Sequence, residues 1–472
     1  MASRVSHWLA DRFGWFPFKK HALDRRVAKS PWYYGDGATM MLLLGVLVVT
    51  GVAMMLTYSP HPDSAHASIV YLTKLQTLGW FVRGMHYWSA GLLMVMTLWH
   101  VLRQILLGGY KFPREGTWLV GVVLFVAIVF MAFSGYLLRW DERAIYAIGV
   151  SLHLFGKIPL VGETLVLLIQ GDTQPGARLL TRLYTLHVVV VPAILGAFVA
   201  WHLYLVILHG VTSRGERRKL THTTEQQRKR YKRDAESDEK GEPFYPDTMV
   251  RSGAMATVVL VLTVVLVLVL GPSSLLPEAN FTDRYARPAE EWWWWWFSAL
   301  VALLPPKIAP WFLVFFPLVV LLGMTLLPLL DRSPERGYRR RPLAVGFVVF
   351  TVVTIVGLSG LRLRSPWEGG PVADLPALPP GVELQADAEA GRRLFAFYGC
   401  TSCHSVAGAG GRHVAVDLAH MEAPRSREYL VNYIAQPPPG IAMPAYRGWA
   451  TDEEIERLAD YVLVAQTFAT ER

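Results

Sequence analysis

Two apolar stretches each carry a pair of histidines at nearly the same spacing, and this pattern constrains the chain more than any other. His86 and His100 lie in LGWFVRGMHYWSAGLLMVMTLWHVLRQIL, and His187 and His202 in TRLYTLHVVVVPAILGAFVAWHLYLVIL. The spacings are 14 and 15 residues. On an α-helix, at ~1.5 Å and ~100° per residue, the members of each pair stand about 21–22 Å apart and face within about 60° of one another. One histidine in an apolar helix is most often a hydrogen-bonded core residue. Two matched pairs are different, because ionisable side chains inside a membrane helix are costly and mark function. Two helices that each offer an upper and a lower imidazole can clamp two stacked metal cofactors, and imidazole is a ligand that haem iron takes. The pattern predicts a bis-histidine bundle holding two b haems.

The rest of the chain suits a membrane. Of 472 residues, 53% are hydrophobic and only 18% charged, more apolar than an ordinary soluble domain. Seven stretches reach the roughly 20 apolar residues that a bilayer span needs. They are 37–58, 79–107, 117–138, 183–208, 253–271, 310–330 and 342–361. Basic residues gather before the first (Arg4, Arg12, Lys19, Lys20, Arg25, Arg26, Lys29), after the fourth (Arg214, Arg217, Arg218, Lys219, Arg228, Lys229, Arg230, Lys232, Arg233) and after the sixth (Arg332, Arg336, Arg339, Arg340, Arg341). Lys74 stands alone in the first opposite loop. The positive-inside rule then places the N-terminus in the cytoplasm, and seven spans place the C-terminus outside. The expected location is a bacterial cell (inner) membrane, crossed many times. The net charge of +9 is read as a topology signal and not as a nucleic-acid footprint. Met1 to Lys29 lacks the apolar core of a signal peptide. It mixes Trp8, Phe13, Trp15 and Phe16 with basic residues, the pattern of a segment lying on a membrane surface; a flexible basic tail is the alternative.

Beyond the last span, residues 362–385 are rich in Pro and Gly and read as a linker. A small polar domain follows, opened by the amphipathic stretch AEAGRRLFAFYG and closed by TDEEIERLADYVLVAQTF, where Thr451 and Glu454 fit a capping box. Between them, Cys400-Thr401-Ser402-Cys403-His404 is C-x-x-C-H. In this motif the two thiols bond the haem vinyl groups and the histidine binds iron. A thioredoxin-like pair would need a βαβ context that is missing, and a zinc site would need further ligands such as His413 or His420. Met443, followed by Pro444, is the leading distal ligand, ahead of Met421, His413 and His420. This part resembles a class I cytochrome c on CTSCH, the preceding G-x-x-L-F and the MPAY loop.

Gly37 and Gly51 in the first span, and Gly121 and Gly135 in the third, repeat the 14-residue period. Glycine weakens helices, so these positions suggest backbones passing close to flat macrocycles; small-residue helix packing is the other reading. From the topology, His86 pairs with His187 near the outer face and His100 with His202 near the cytoplasm. Arg83, one turn from His86, is a candidate partner for a haem propionate.

These motifs together resemble the cytochrome b subunit of cytochrome bc and b6f complexes. Residues 1–215 are similar to cytochrome b6 on RGMHYWSAG, TLWHVLRQILLGGYKFPREGTWLVGVVL, SGYLLRWDE, IPLVGE and LTRLYTLH followed by AWH. Residues 240–362 resemble subunit IV on GEPFYPD, EEWWWWWF and the last two spans. The implied fold is all-α and polytopic: a four-helix di-haem b bundle, three further transmembrane helices and a small α-helical cytochrome c domain. The expected divisions are 1–36 (amphipathic segment), 37–215 (b6-like), 216–250 (basic connector), 251–362 (subunit-IV-like), 363–385 (linker) and 386–472 (cytochrome c).

The resemblance implies quinol oxidation at the outer face. Glu291 aligns with the family's proton-accepting Glu, with Glu290 in place of its Pro, and Trp292 follows. A carboxylate among Trp292–Trp296 is expected to be partly desolvated, with a raised pKa that suits a proton acceptor; an interfacial aromatic belt is the companion reading. Tyr136 and Pro159–Gly162 are implied partners, and Arg139 stands where the family has Pro. Tyr34-Gly35-Asp36-Gly37 has no Cys, so no covalent extra haem is expected near Gly35. Phe244, Asp247, His209 and Arg214 are candidates for an inner quinone site. The expected cofactors are two non-covalent b haems and one covalent haem c with His/Met ligation. A Rieske centre needs two Cys and two His; both cysteines here are taken, so the Rieske iron–sulfur protein is expected as a separate chain. Other expected partners are quinol and quinone, membrane lipid, a soluble cytochrome c or similar acceptor, further haem subunits and a second copy in a homodimeric complex. Two other classes compete with this quinol:cytochrome c oxidoreductase reading. One is a di-haem b plus haem c conduit anchoring another dehydrogenase or reductase. The other is a structural or transport role.

Overall fold

The structure is a computed structural model. It describes residues 10, 12, 23–156, 158, 160–172, 175–211, 223–276, 278, 291–305, 308–363, 378, 382–398, 400, 404–407, 416–421, 423–438, 443, 445–447 and 450–468. Most of the amphipathic N-terminal segment, the connector residues 212–222 and most of the linker therefore lie outside the described residues, as do Cys403, His413, Glu290 and Pro444.

The chain divides into two compact units. The first holds the helices α1 Asp36–Met55, α2 Pro62–Lys74, α3 Gly79–Leu107, α4 Glu115–Leu137, α5 Glu142–Gly156, α6 Gly162–Gln170, α7 Ala177–Thr185, α8 Val191–His209, α9 Thr224–Glu236, α10 Met249–Leu270, α11 Trp295–Ala302, α12 Ala309–Leu330 and α13 Pro342–Leu363. Among the described residues seven helical segments are long and apolar enough to cross a bilayer, at Trp32–Met55, Gly79–Leu107, Glu115–Leu137, Ala177–His209, Phe244–Leu270, Trp311–Leu330 and Pro342–Leu363. They correspond one to one with the seven stretches expected from hydropathy, the fourth and fifth starting six and nine residues earlier than expected, and the protein is an integral membrane protein. Among the described residues the strands form one small antiparallel pair, β1 Arg26–Ala28 with β2 Gly241–Pro243, in the register Arg26↔Pro243 and Ala28↔Gly241.

Helix α1 packs along α3, α4 along α8, and α10 closes against α1 and α3. The middle of this bundle is an apolar plug of Leu43, Leu93, Ala127, Ile128, Val191 and Leu195. Leu43, Leu93, Ala127, Ile128 and Leu195 lie near the midpoints between the paired histidine or glycine positions, and Val191 lies one turn beyond His187. The plug therefore separates an upper imidazole layer from a lower one, as a spacing of roughly four helical turns requires.

The 15-residue spacing on the fourth span is resolved by the backbone. Leu186–Val190 forms one π-helical turn between α7 and α8. Pro192, near the start of α8, has no N–H to give the carbonyl one turn back. A π turn absorbs one extra residue, so His187 and His202 keep nearly the phase of a 14-residue pair.

A polar knot ties the α3–α4 loop to α12 and α13. Lys111 Nζ donates to Asp331 Oδ1 and Ser333 Oγ, both at 2.8 Å, and to the carbonyls of Ser333 and Glu335 at 2.9 and 3.0 Å. Arg341 adds an ion pair to Asp331 at 2.8 Å, and Arg336 donates to the Phe112 carbonyl. Trp118 Nε1 donates to the Met324 carbonyl at 2.7 Å.

In the second unit α14 Ala386–Phe397 crosses α16 Asp452–Ala465, and α15 Arg427–Ala435 packs on α16. The crossing needs Gly391, where a Cβ would sit 1.9 Å from the Arg457 carbonyl oxygen. The capping box is present in both directions: Thr451 Oγ1 accepts from Glu454 N, and Thr451 N donates to the Glu454 carboxylate.

Candidate functional site

Helix α3 and the π turn that precedes α8 bring His86 and His187 together, with ring centroids 6.4 Å apart and ring planes at 63°. Two imidazoles that share one metal ion, at ~2.0 Å per metal–nitrogen bond, have centroids roughly 6.3 Å apart. The tautomer of each ring follows from its neighbour. Thr50 Oγ1 gives its proton to the Val46 carbonyl at 2.6 Å, so it accepts from His86 Nδ1 at 3.0 Å. Ser134 Oγ donates to the Met131 carbonyl at 3.3 Å and accepts from His187 Nδ1 at 3.0 Å. Both rings thus carry hydrogen on Nδ1 and keep the Nε2 lone pair for a metal, the arrangement that orients imidazole ligands. In the lower layer His100 Nδ1 meets Asp36 Oδ2 at 3.1 Å, and His202 is a neighbour of His100. Thr50, Ser134 and Asp36 were not singled out from the sequence. Each is a partner from a remote segment, and the signal in the sequence was its position immediately before a period-14 glycine.

Three of the four period-14 glycines stand against these rings. A Cβ would lie 3.3 Å from His86 Cε1 at Gly51, 2.8 Å from His187 Cε1 at Gly135 and 3.5 Å from His202 Cε1 at Gly121. A Cβ at Gly37 would meet nothing within 4 Å. The glycines were expected to clear macrocycles; the structure shows three of them clearing the imidazoles themselves.

His86 and His187 open on a cavity of about 920 Å³ whose walls include Gly51, Gly135, Tyr136, Arg83, Arg139, Ser273, Glu291 and Trp293. Its volume is in the range of cofactor and ligand sites, ~300–1,000 Å³. The donor set, the two glycine cradles and the ring separation all fit a flat macrocycle with a central iron. Arg83, 7% exposed, donates to the Ser273 carbonyl at 2.8 Å and to Ser273 Oγ at 3.2 Å.

Glu291 is 2% exposed and fully engaged. Its Oε2 accepts from Tyr87 Oη at 3.0 Å. Its Oε1 pairs with Arg139 Nη1 and with Arg143 Nη1, both at 3.0 Å. The tryptophan run implied an aromatic setting for this carboxylate; the tertiary structure supplies two guanidinium groups as well. Arg139 also donates to Ser273 Oγ at 3.1 Å. Trp292 lies off the cavity, pressed on α3 where a Cβ at Gly91 would fall 2.5 Å from its ring, and it is Trp293, 5.8 Å from the Tyr87 ring, that lines the cavity. Tyr136 lines it too. Of Pro159–Gly162, Pro159 lies outside the described residues and Leu160 is exposed. The inner quinone candidates have other partners: His209 Nε2 accepts from Arg228 at 3.0 Å, and Phe244 carries the Arg25 guanidinium 4.5 Å above its ring. Arg214 lies outside the described residues.

In the second unit Cys400, Met421 and Met443 all pack on one apolar core around Leu394, Phe395 and Tyr461. His404 Nδ1 donates to the Val416 carbonyl at 2.9 Å, which leaves its Nε2 for a metal. His420 is more than half exposed and pairs with Asp417 at 3.6 Å, away from that core.

Comparison with known proteins agrees with this geometry. A family model described as "Cytochrome b/b6/petB" matches residues 26–211. Another, "Cytochrome C oxidase, cbb3-type, subunit III", matches residues 386–462. The menaquinol:cytochrome c reductase cytochrome b subunit of Geobacillus thermodenitrificans is 32% identical over 45% of this chain and 99% of its own length. Cytochrome b6 of Synechococcus sp. (strain JA-3-3Ab) is 34% identical over 44% of this chain and 98% of its own. A solved chain of a hyperthermophilic respiratory Complex III matches with a TM-score of 0.65 at 26% identity, covering 76% of this chain and 91% of that one.

Proposed function

This chain belongs to the cytochrome b/b6 family, with a cytochrome c domain at its C-terminal end, and is an oxidoreductase subunit; from that premise we propose that it oxidises quinol in a proton-translocating, bifurcated reaction. Residues 251–362 act as the subunit-IV-like half, and the cavity beside Glu291 faces the outer side of a bacterial inner membrane. Quinol there gives one electron to a Rieske protein on a separate chain and the other to the transmembrane path, while the fused cytochrome c domain receives the high-potential electron for a soluble acceptor. Bound haems, two b type and one c type, supply the one-electron transfers. His86 with His187, and His100 with His202, would hold the b haems; Cys400, Cys403, His404 and Met443 would hold haem c.

The observation that carries this reading is one shared cavity. The walls that bear the His86/His187 pair also bear Glu291 and Tyr136, so a proton acceptor and an electron acceptor can meet the same substrate. Glu291 takes a quinol proton on a carboxylate that Tyr87, Arg139 and Arg143 hold against the wall. Arg83, fixed by Ser273, presents positive charge to the same space. A mere electron conduit has no use for this buried carboxylate. Glu291→Gln in the purified complex should abolish most quinol oxidation and leave haem content intact. Unchanged quinol oxidation would defeat the proposal, and fewer than two b haems and one c haem per native chain would defeat the cofactor assignment.

A further inference from the structure

The two imidazole layers differ in what holds them. In the upper layer the Nδ1 hydrogens of His86 and His187 rest on neutral hydroxyls, Thr50 and Ser134. In the lower layer His100 Nδ1 lies 3.1 Å from a carboxylate oxygen, Asp36 Oδ2. Asp36 is 1% exposed and sits in the first turn of α1, where the helix dipole favours negative charge. Arg103, 7% exposed, closes on it with two parallel bonds, Nε to Oδ2 and Nη2 to Oδ1, both at 2.8 Å. Gly37 N donates to Oδ1 at 2.8 Å, and the Arg103 guanidinium rests 4.3 Å above the Tyr34 ring. A lone buried carboxylate would be very costly; a bidentate arginine makes it tolerable.

We infer that Asp36 is a positioning residue for the haem held by His100, and that it biases that haem towards its ferric state. The inference rests on the reading of His100 as a haem ligand. A carboxylate has no proton to give, so His100 must donate from Nδ1 and present Nε2 to the iron. A hydrogen bond to a carboxylate is stronger than one to a hydroxyl and makes the ring a better electron donor. A better donor stabilises the more positive metal, and hydrogen bonding to an axial ligand is among the means by which a protein sets a haem potential. Arg103 neutralises the pair overall, so His100 receives a directed bond and not a bare charge. The two b haems thus differ by design in the partner of an axial ligand, neutral above and anionic below.

The test is a redox titration of the b-haem absorbance, with low-spin electron paramagnetic resonance spectra, on purified complex carrying native Asp36, Asp36→Asn, Asp36→Ser or Asp36→Glu. Native complex that holds fewer than two b haems would sink the ligand reading itself, whatever Asp36 does. With two b haems present, Asp36→Ser and Asp36→Asn should shift the reduction equilibrium of one haem about tenfold towards ferrous, ~59 mV for one electron. The low-spin signal of that haem should move, the other haem should not, and Asp36→Glu should restore the native values. Equal potentials in native, Ser and Asn complexes would overturn the inference. If Asp36→Asn loses a haem, Asp36→Ser and Asp36→Glu still compare a neutral with an anionic acceptor, and equal potentials in those two would overturn it equally.

Discussion

Arg139 Nη1 and Glu291 Oε1 lie 3.0 Å apart, both almost fully buried, and join the end of α4 to the segment that opens the tryptophan run. Arg143, on α5, reaches the same oxygen at 3.0 Å. The carboxylate is therefore held from three directions, with Tyr87 on its other oxygen. Small displacements of a reacting group cost activity steeply, about 100-fold for 1 Å.

It follows that Arg139→Gln should lower the turnover of quinol oxidation roughly tenfold with little change in KM, and Arg143→Gln should do the same. The double variant should lose less than the product of the two, because both act on one oxygen. Steady-state quinol:cytochrome c reductase assays decide this. A rise in KM at constant turnover would show that the arginines bind substrate instead of holding Glu291.

Thr50→Val and Ser134→Ala remove the acceptors that fix the His86 and His187 tautomers. Loss of such a supporting bond weakens metal binding about 10–100-fold. Each variant should retain less of one b haem under dilution or mild detergent stress, measured as haem per chain, while the haem of the His100 layer stays. Equal loss of both haems would count against the layer assignment.

Gly135→Ala places a Cβ 2.8 Å from His187 Cε1, closer than real contacts allow, on a ring that cannot retreat without leaving Ser134. One b haem should be lost or strongly perturbed in the optical spectrum. Gly37→Ala, with nothing within 4 Å of its Cβ, tests macrocycle clearance separately. Loss of the haem in the His100 layer from that variant would show that the glycine makes room for the ring system, and unaltered spectra would show that it does not.

The knot around Asp331 carries an acid-dependent share of stability. Burial pushes the Asp331 carboxyl up, but hydrogen bonds from Lys111, Tyr110 and Ser333 outweigh that and hold it below the usual carboxylate range. A depressed folded-state pKa stabilises above the unfolded value, near 3.8, and this contribution fades as pH falls through the folded value. Thermal stability of the solubilised complex should therefore keep this group's contribution in full, and unchanged, between neutral pH and about pH 5, and lose it well below that. Asp331→Asn leaves Lys111 buried without its anion and should cost about 3 kcal/mol at neutral pH, with a smaller further loss on acidification. An identical acid loss in both proteins would refute the linkage.

Met443 and Met421 both pack on the core beside Cys400, so the distal ligand of haem c is decided by substitution. Met443→Leu should change the optical spectrum and lower the potential of haem c, while Met421→Leu leaves both unaltered. The reverse result would transfer the role to Met421.

Much of this protein was legible in the chain itself. Periodicity and hydropathy are local properties, so the seven spans, the two histidine layers, the capping box at Thr451 and the C-x-x-C-H motif needed no coordinates. Charge bias supplies an expected orientation, and the 14-residue glycine period marked which helices face the histidines. The partners of those residues were not legible. Asp36 with His100, Thr50 with His86, Ser134 with His187 and Arg139 with Glu291 join segments that only the packing of the bundle brings together. A hydroxyl or a carboxylate in an apolar helix looks the same in sequence whether it bonds its own backbone or a neighbour's imidazole. The 15-residue spacing was likewise ambiguous until one π turn before Pro192 absorbed the extra residue. The sequence by itself determined which side chains could hold metal and at what depth. The tertiary structure alone decided which nitrogen each imidazole keeps free and what charge stands behind it, because hydrogen bonds between helices depend on ångström distances that no spacing along one chain specifies.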